Sequence, residues 1–160
     1  VFGEVYFASD LGGVFCFRKK DGEPDVAYNH AGPVAAKPLL VDQDLVISDL
    51  KGKVCRVSLK DGQRIWCRDT GEGKLALANP ILDPGAGVLL YPSQKNGLFV
   101  LNPSNGEVLA KWKAEGEKQP WSRAFAPPTL VPGGWIVVDM KGVMRKLRWS
   151  AETRNAAALR

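Results

Sequence analysis

One pattern recurs along this chain at a nearly constant interval, and it leaves few folds open. From Gly87 to Trp112 (GVLLYPSQKNGLFVLNPSNGEVLAKW) the chain reads apolar run, turn at Pro92–Gly97, second apolar run, turn at Pro103–Gly106, and a last run ending on tryptophan. Apolar runs of about five residues bounded by Pro, Asn, Ser and Gly signal strands joined by hairpins. The pattern returns as VYFASDLGGVFCFRKKDG, LVISDLKGKVCRVSLKDGQRIW and WIVVDMKGVMRKLRW. Aligning the first turns sets Gly13, Gly52, Gly97 and Gly142 in register at spacings of 39, 45 and 45 residues, and aligning the second sets Gly22, Gly62 and Gly106 at 40 and 44. A third anchor precedes each later unit: Lys37–Leu40, Asn79–Leu82 and Pro128–Val131.

Three anchors sharing a period of about 40–50 residues, with four strands per period, are the mark of a β-propeller blade. The expected fold is therefore all-β: a β-propeller of four-stranded antiparallel blades, each with strands A to D. About four blades are present, two of them incomplete, because the chain reads B-C-D, A-B-C-D, A-B-C-D, A-B-C. The blade units fall near 1–34, 35–78, 79–127 and 128–149, followed by a non-repeat tail at 150–160. The B–C turns Asp10–Gly13, Asp49–Gly52 and Asp139–Gly142 are Asp-x-x-Gly: Asp caps its own turn, and Gly accepts the positive φ that closes it. Taking Lys60–Gly62 as a three-residue loop sets Leu59 opposite Gln63, Val57 opposite Ile65 and Cys55 opposite Cys67. Cys16 then occupies the place of Cys55 one blade earlier.

The unit G-x-(V/L)-x-x-(V/L)-x-x-x-x-G-x-x-x-W resembles the repeat of the pyrroloquinoline-quinone-like (PQQ-like) propeller superfamily. Leu59–Trp66 fits its Gly-x-x-x-Trp spacing, and Asn102–Trp112 fits with two extra residues. The first unit has Tyr28 near the tryptophan position, and the fourth does not reach it. The superfamily includes the lipoprotein of the outer-membrane β-barrel assembly machine, to which this pattern is most similar, as well as quinoprotein dehydrogenases and propeller tails of acyl-activating enzymes. The resemblance implies a larger ring of about seven or eight blades, completed by the missing blades of its own chain or by pairing as a homodimer, since an open array leaves exposed edges. It further implies a non-catalytic scaffold for protein–protein interaction in outer-membrane protein assembly, with the machine's barrel subunit as partner and a periplasmic location. The alternative is the propeller part of a larger enzyme, cytoplasmic if an acyl-activating tail. Quinoprotein dehydrogenases hold their quinone beneath an adjacent-cysteine disulfide beside calcium. No Cys-Cys pair occurs here, so no cofactor is expected.

Composition narrows the chemistry. With 45% apolar and 24% charged residues the chain has the make-up of a soluble globular protein, and no apolar run reaches membrane-spanning length. The net charge of +5 comes from Lys and Arg scattered over turns and strands, Arg18-Lys19-Lys20 being the densest group, and the aromatics sit at repeat positions. Nucleic-acid binding calls for a basic stripe with stacking aromatics, so no nucleic-acid partner is expected. The single histidine, His30, lies in a linker, and a Ser–His triad or a zinc site needs more. Asp10, Asp49 and Asp139 each bring one carboxylate to a turn, short of the six to eight oxygens that calcium takes.

Two features are candidate sites. Cys55 and Cys67, opposed across a hairpin, are read first as buried thiols serving as small apolar side chains, with a cross-strand disulfide as the alternative. With three cysteines, one stays free either way. The segment 113–127 (KAEGEKQPWSRAFAP) breaks the repeat and carries Trp121, Arg123 and Phe125. Insertions in propellers fall on the ring faces, and Trp and Arg are enriched among binding hot spots, so these three are the candidate partner-binding residues. The rival is that Trp121 packs against its own blade.

Overall fold

The computed structural model describes residues 4–9, 12–28, 32–34, 36–71, 79–93, 97–112, 126–138 and 142–149. Among them are fourteen strands and no helix. The first sheet holds β1 (Glu4–Ala8), β2 (Val14–Arg18) and β3 (Pro24–Tyr28), in the order β1-β2-β3. The second is β4 (Leu39–Val41), β5 (Asp44–Ser48), β6 (Lys53–Ser58) and β7 (Arg64–Asp69), again in chain order. The third comprises β8 (Ile81–Asp83), β9 (Val88–Ser93), β10 (Gly97–Leu101) and β11 (Val108–Trp112), and the fourth β12 (Thr129–Val131), β13 (Gly134–Val138) and β14 (Met144–Leu147). Every neighbouring pair is antiparallel. These are the B-C-D, A-B-C-D, A-B-C-D and A-B-C blades of a propeller, grouped in two compact units, Val1–Leu77 and Ala78–Arg160.

The turns show why the sequence repeats as it does. After strand C, the amides of Arg18, Ser58 and Asn102 donate to the carbonyls of Glu23, Gln63 and Glu107, while Gly22, Gly62 and Gly106 donate back to the carbonyls of Arg18, Ser58 and Asn102. The three glycines have φ of 73°, 68° and 70°, a region that penalises a Cβ. Asp21, Asp61 and Asn105 precede them, and each accepts the amide two residues on, at 3.1, 3.1 and 2.9 Å. One hairpin is thus written three times as Asp/Asn-Gly.

This closure differs from the three-residue loop expected for Lys60–Gly62. Because Ser58 pairs with Gln63, four residues form the loop, and a bulge follows in the ladder: Cys55 faces Cys67 and Arg56 faces Trp66, but Val57 faces Arg64, not Ile65. The same irregularity recurs between Phe15 and Phe17 and between Val100 and Leu101. A bulge adds twist where strand D leaves the hairpin.

The first B–C turn also shifts by one residue from the sequence alignment. Ser9 donates to Gly13 O and accepts from Gly12, as Asp49 donates to Lys53 O and accepts from Gly52. Gly12, not Gly13, therefore matches Gly52, and Ser9, not Asp10, matches Asp49. Phe15 falls at the place of Cys55, and Cys16 at that of Arg56.

In the first unit, Val14 with Tyr6, Ala8 and Tyr28 of the first sheet packs with Leu45, Ile47, Cys55 and Val57 of the second, around Val34. The Pro33–Val34 segment stitches the two B–C turns, Val34 N donating to Ser9 O and Leu50 N to Pro33 O. Asp49 is 3% exposed, and its Oδ1 accepts the amides of Lys51 and Lys53 at 2.9 and 2.8 Å. Thr70, just after strand D, locks the same turn, its hydroxyl donating to Gly52 O at 2.6 Å. Asp49→Ala leaves two amides without their acceptor, and an unmet buried group costs about 1–3 kcal/mol. Urea unfolding should show a loss in that range, with Asp49→Asn, which keeps an accepting oxygen, losing less.

In the second unit, Val88, Leu90, Leu98 and Val100 of the third sheet form a core with Trp135 and Val137 of the fourth. Trp135 Nε1 donates to Asp83 Oδ2 at 2.7 Å, tying the two blades together. Every residue of β9 and β10 is buried, as continuous apolar runs such as GLFVL require.

Candidate functional site

Charged side chains in the first unit serve the frame. The Arg56 guanidinium, on strand C, donates through Nε to Asp44 at 2.7 Å and reaches Asp42 at 3.2 Å. It thereby clamps the A–B turn, where Asp42 holds a φ of 57°. Cys55 and Cys67 are joined by a disulfide, and Cys16 is free and buried. The sequence reading placed two reduced thiols first; the ladder register sets the two cysteines directly opposite, which brings their sulfurs into bonding reach.

In the second unit, a cavity of about 380 Å³ opens between β10–β11 and β14. Leu98, Val100, Trp112, Trp135, Leu147 and Trp149 line it. The register explains the convergence: Leu98 pairs with Trp112 and Val100 with Ala110, so these share the face turned to Trp135 and Leu147, which pair with each other across β13 and β14. The ring centroids of Trp135 and Trp149 lie 5.9 Å apart with the planes tilted by 32°, within the separation at which aromatic pairs attract. Trp149 Nε1 is buried with no hydrogen-bond partner among the described residues. Three cations border the cavity, Lys111, Lys146 and Arg148: Lys111 Nζ lies 4.6 Å from the centre of the Phe99 ring, and Lys146 Nζ donates to Pro132 O. A second cavity, of about 300 Å³, shares Trp135 and Trp149 with the first and has Asp83, Ala86 and Val131 in its wall.

Among the described residues, Asp83 is the one carboxylate lining these cavities. Partial burial raises its pKa, but the hydrogen bonds from Trp135 Nε1 and from the Ala86 and Gly85 amides outweigh that and hold it below the usual carboxylate value. It stays ionised and engaged. Among the described residues, the wall of the larger cavity holds apolar and aromatic side chains with Lys111, Lys146 and Arg148, and no Ser, Cys, His or carboxylate, an arrangement suited to holding a side chain. No group of three or more His, Cys, Asp or Glu placed to hold a metal ion occurs among the described residues. No helix among the described residues is long and apolar enough to cross a membrane.

The expected contact residues Trp121, Arg123 and Phe125, together with His30, lie outside the described residues. The tryptophan cavity was not anticipated. Its one sequence sign is that tryptophans recur near the ends of the repeat units, at Trp112 and Trp149.

Residues 2–128 match the family described as outer membrane protein assembly factor BamB. The chain belongs to this family. The BamB match covers the first three blades and the linker that follows them. No curated protein matches the sequence. Among solved structures, the chain is similar to BamB from Moraxella catarrhalis, with a TM-score of 0.75 and 16% identity over 92% of this chain and 44% of that one. It is also similar to two computationally designed proteins, Ika4 and Ika8, each with a TM-score of 0.73, 13% identity and 92% of this chain covered; the match spans 86% of Ika4 and 43% of Ika8. The chain thus spans less than half the length of the BamB it matches, and at such identities the likeness is one of fold.

Proposed function

We propose that this chain is a non-catalytic propeller scaffold that binds protein partners in outer-membrane protein assembly. The observation that carries this reading is the BamB family match over residues 2–128. Within each unit the blades are held by repeated hairpins and by a local tie, the Asp49 turn in the first and the Trp135–Asp83 bond in the second, and a well-ordered blade presents its connecting loops with little ordering cost at binding. The segment 113–127 is the proposed contact, with Trp121, Arg123 and Phe125 as its anchors, and the barrel subunit of the assembly machine as the partner. This reading puts the chain in an oxidising periplasm, in keeping with the Cys55–Cys67 bond.

The test is binding of the intact chain to purified barrel subunit. Saturable binding is expected, and Trp121→Ala should weaken it by about 2 kcal/mol, the threshold of a hot spot, while leaving the melting temperature unchanged. A chain that does not bind the barrel subunit would overturn the assembly role. A large fall in melting temperature for Trp121→Ala would assign that side chain to packing instead.

A further inference from the structure

We propose that Asn105 is a latent deamidation site, shielded while the loop between β10 and β11 is closed and converted to aspartate or isoaspartate once that loop opens. The inference stands apart from the scaffold reading and concerns the third blade alone.

The repeat singles out this residue. The hairpin after strand C closes on Asp21-Gly22, Asp61-Gly62 and Asn105-Gly106, so the third copy carries a side-chain amide where the first two carry carboxyl groups. A following glycine leaves its own nitrogen open to approach the side-chain carbon, because no Cβ stands beside it. An ionised carboxylate is a poor target for that nitrogen, since attack crowds a second negative charge onto it. Asp61 is held ionised below the usual carboxylate value, first by the Ser58 hydroxyl and then by the Gln63 amide. Asn105 is neutral and exposed, and meets no such barrier.

The reaction is a cyclisation followed by hydrolysis. The Gly106 amide gives its proton to base, the Gly106 nitrogen bonds to Asn105 Cγ, and the Cγ–Nδ2 bond breaks as ammonia leaves. Water then opens the five-membered imide at one of its two carbonyls, giving aspartate or isoaspartate. One water is consumed and one ammonia released, and nothing is oxidised or reduced.

In the folded loop the atoms of the first step are engaged. Gly106 is buried, and its N–H donates to Asn102 O at 2.9 Å. Losing that proton breaks the hydrogen bond and requires base to reach a covered amide. Asn105 Oδ1 accepts the Glu107 amide at 2.9 Å, which fixes the carboxamide that must turn toward Gly106. Two further bonds close the loop, Asn102 N donating to Glu107 O and the Ser104 amide to Asn102 Oδ1, each at 2.8 Å. The preceding strand β10 is buried along its whole length. A segment with buried contacts and bonded amides opens rarely, and chemistry that needs the open form is slowed to match.

The two products differ in fit. Aspartate is the residue that already stands at this place in the first two blades, where Asp21 and Asp61 each accept the amide two residues on at 3.1 Å. Isoaspartate carries the main chain through the side-chain carbon. That lengthens the path between the paired Asn102 and Glu107 by one atom and displaces Gly106 from its φ of 70°.

The experiment incubates the full 160-residue chain at pH 8 and 37 °C beside the free peptide Asn-Pro-Ser-Asn-Gly-Glu-Val-Leu-Ala-Lys in the same buffer. Mass spectrometry of proteolytic fragments follows conversion at Asn105. Asn96, which also precedes glycine and lies outside the described residues, is resolved from it by fragment ions. Asn105 should react at least tenfold more slowly in the folded chain than in the peptide, and unfolding in guanidinium chloride should raise the rate in the chain to that of the peptide. Equal rates in folded chain and peptide overturn the shielding, and an unfolded chain that leaves Asn105 unreacted overturns the site itself. Asn105→Asp should keep the wild-type melting temperature, whereas the isoaspartyl form, separated chromatographically, should melt lower. An isoaspartyl form as stable as wild type would overturn the difference in fit.

Discussion

Replacing Trp135 by alanine should be the most damaging single substitution in the second unit. The side chain is 2% exposed and stands in the core formed by Val88, Leu90, Leu98 and Val100 of the neighbouring blade. Truncating a buried aromatic of this size costs about 3–5 kcal/mol through lost transfer energy and the cavity left behind. The substitution also takes the indole N–H from Asp83. Trp135→Phe separates the two effects, because it keeps most of the apolar bulk and removes only the donor; its cost should be about 1–3 kcal/mol. The hydrogen bond depresses the pKa of Asp83 in the folded chain, so its contribution is fully present above the unfolded carboxylate pKa of about 3.9 and is lost as pH falls through the lower folded value. The stability gap between wild type and Trp135→Phe should therefore be widest near neutrality and shrink below about pH 4. A gap constant from pH 7 to pH 3 in chemical denaturation would show that the Trp135–Asp83 bond does not depend on the charge of Asp83.

The blades were legible in the sequence because the forces that form them are local. A hairpin needs a positive-φ residue at one place, and Gly22, Gly62 and Gly106 mark it; a strand buried on both faces needs an unbroken apolar run, and Val88–Tyr91 and Leu98–Leu101 are such runs. Strand order follows, since within each sheet every strand pairs with the one before it. Single-residue shifts were not legible. Ile65 slips out of the ladder because the Ser58–Gln63 pairing closes a four-residue loop, and the letters Lys-Asp-Gly suit either length. At the first B–C turn, Ser9 takes the place of Asp49 because the turn is closed by backbone bonds and a side-chain cap is optional. Counting from an aspartate therefore misplaced Gly13 and Cys16 by one.

The candidate site was less legible for a related reason. Trp135 meets Asp83 across 52 residues, and only the packing of one blade on the next brings them together. Period and composition describe what a blade does with its own strands. They say little of what two neighbouring blades leave between them, which is where Trp112, Trp135 and Trp149 converge. The segment with Trp121, Arg123 and Phe125 stood out for the opposite reason, as the stretch that escapes the repeat, and its role rests on the binding test above.

The Cys55–Cys67 bond carries the second large prediction. Under denaturing conditions without reductant, a single thiol, that of Cys16, should react with a thiol reagent, and three should react after reduction. Reduction with dithiothreitol leaves every side chain in place, so the change in stability reports the cross-link itself. For two cysteines separated by 12 positions, loop-closure entropy in the unfolded chain gives about 3 kcal/mol. Three reactive thiols before reduction would show that the pair is not bonded in solution. The consequence reaches beyond stability. Cys55 belongs to the core shared by the first two sheets, and Cys67 lies on strand D, the strand that in the fourth sheet has no counterpart among the described residues. The bond therefore adds a covalent tie to an outermost strand that is otherwise held by its ladder hydrogen bonds and by the packing of Trp66 and Cys67. If reduction lowers stability but leaves barrel-subunit binding intact, the bond serves the frame of the scaffold; if binding falls in step, the second blade itself belongs to the contact surface.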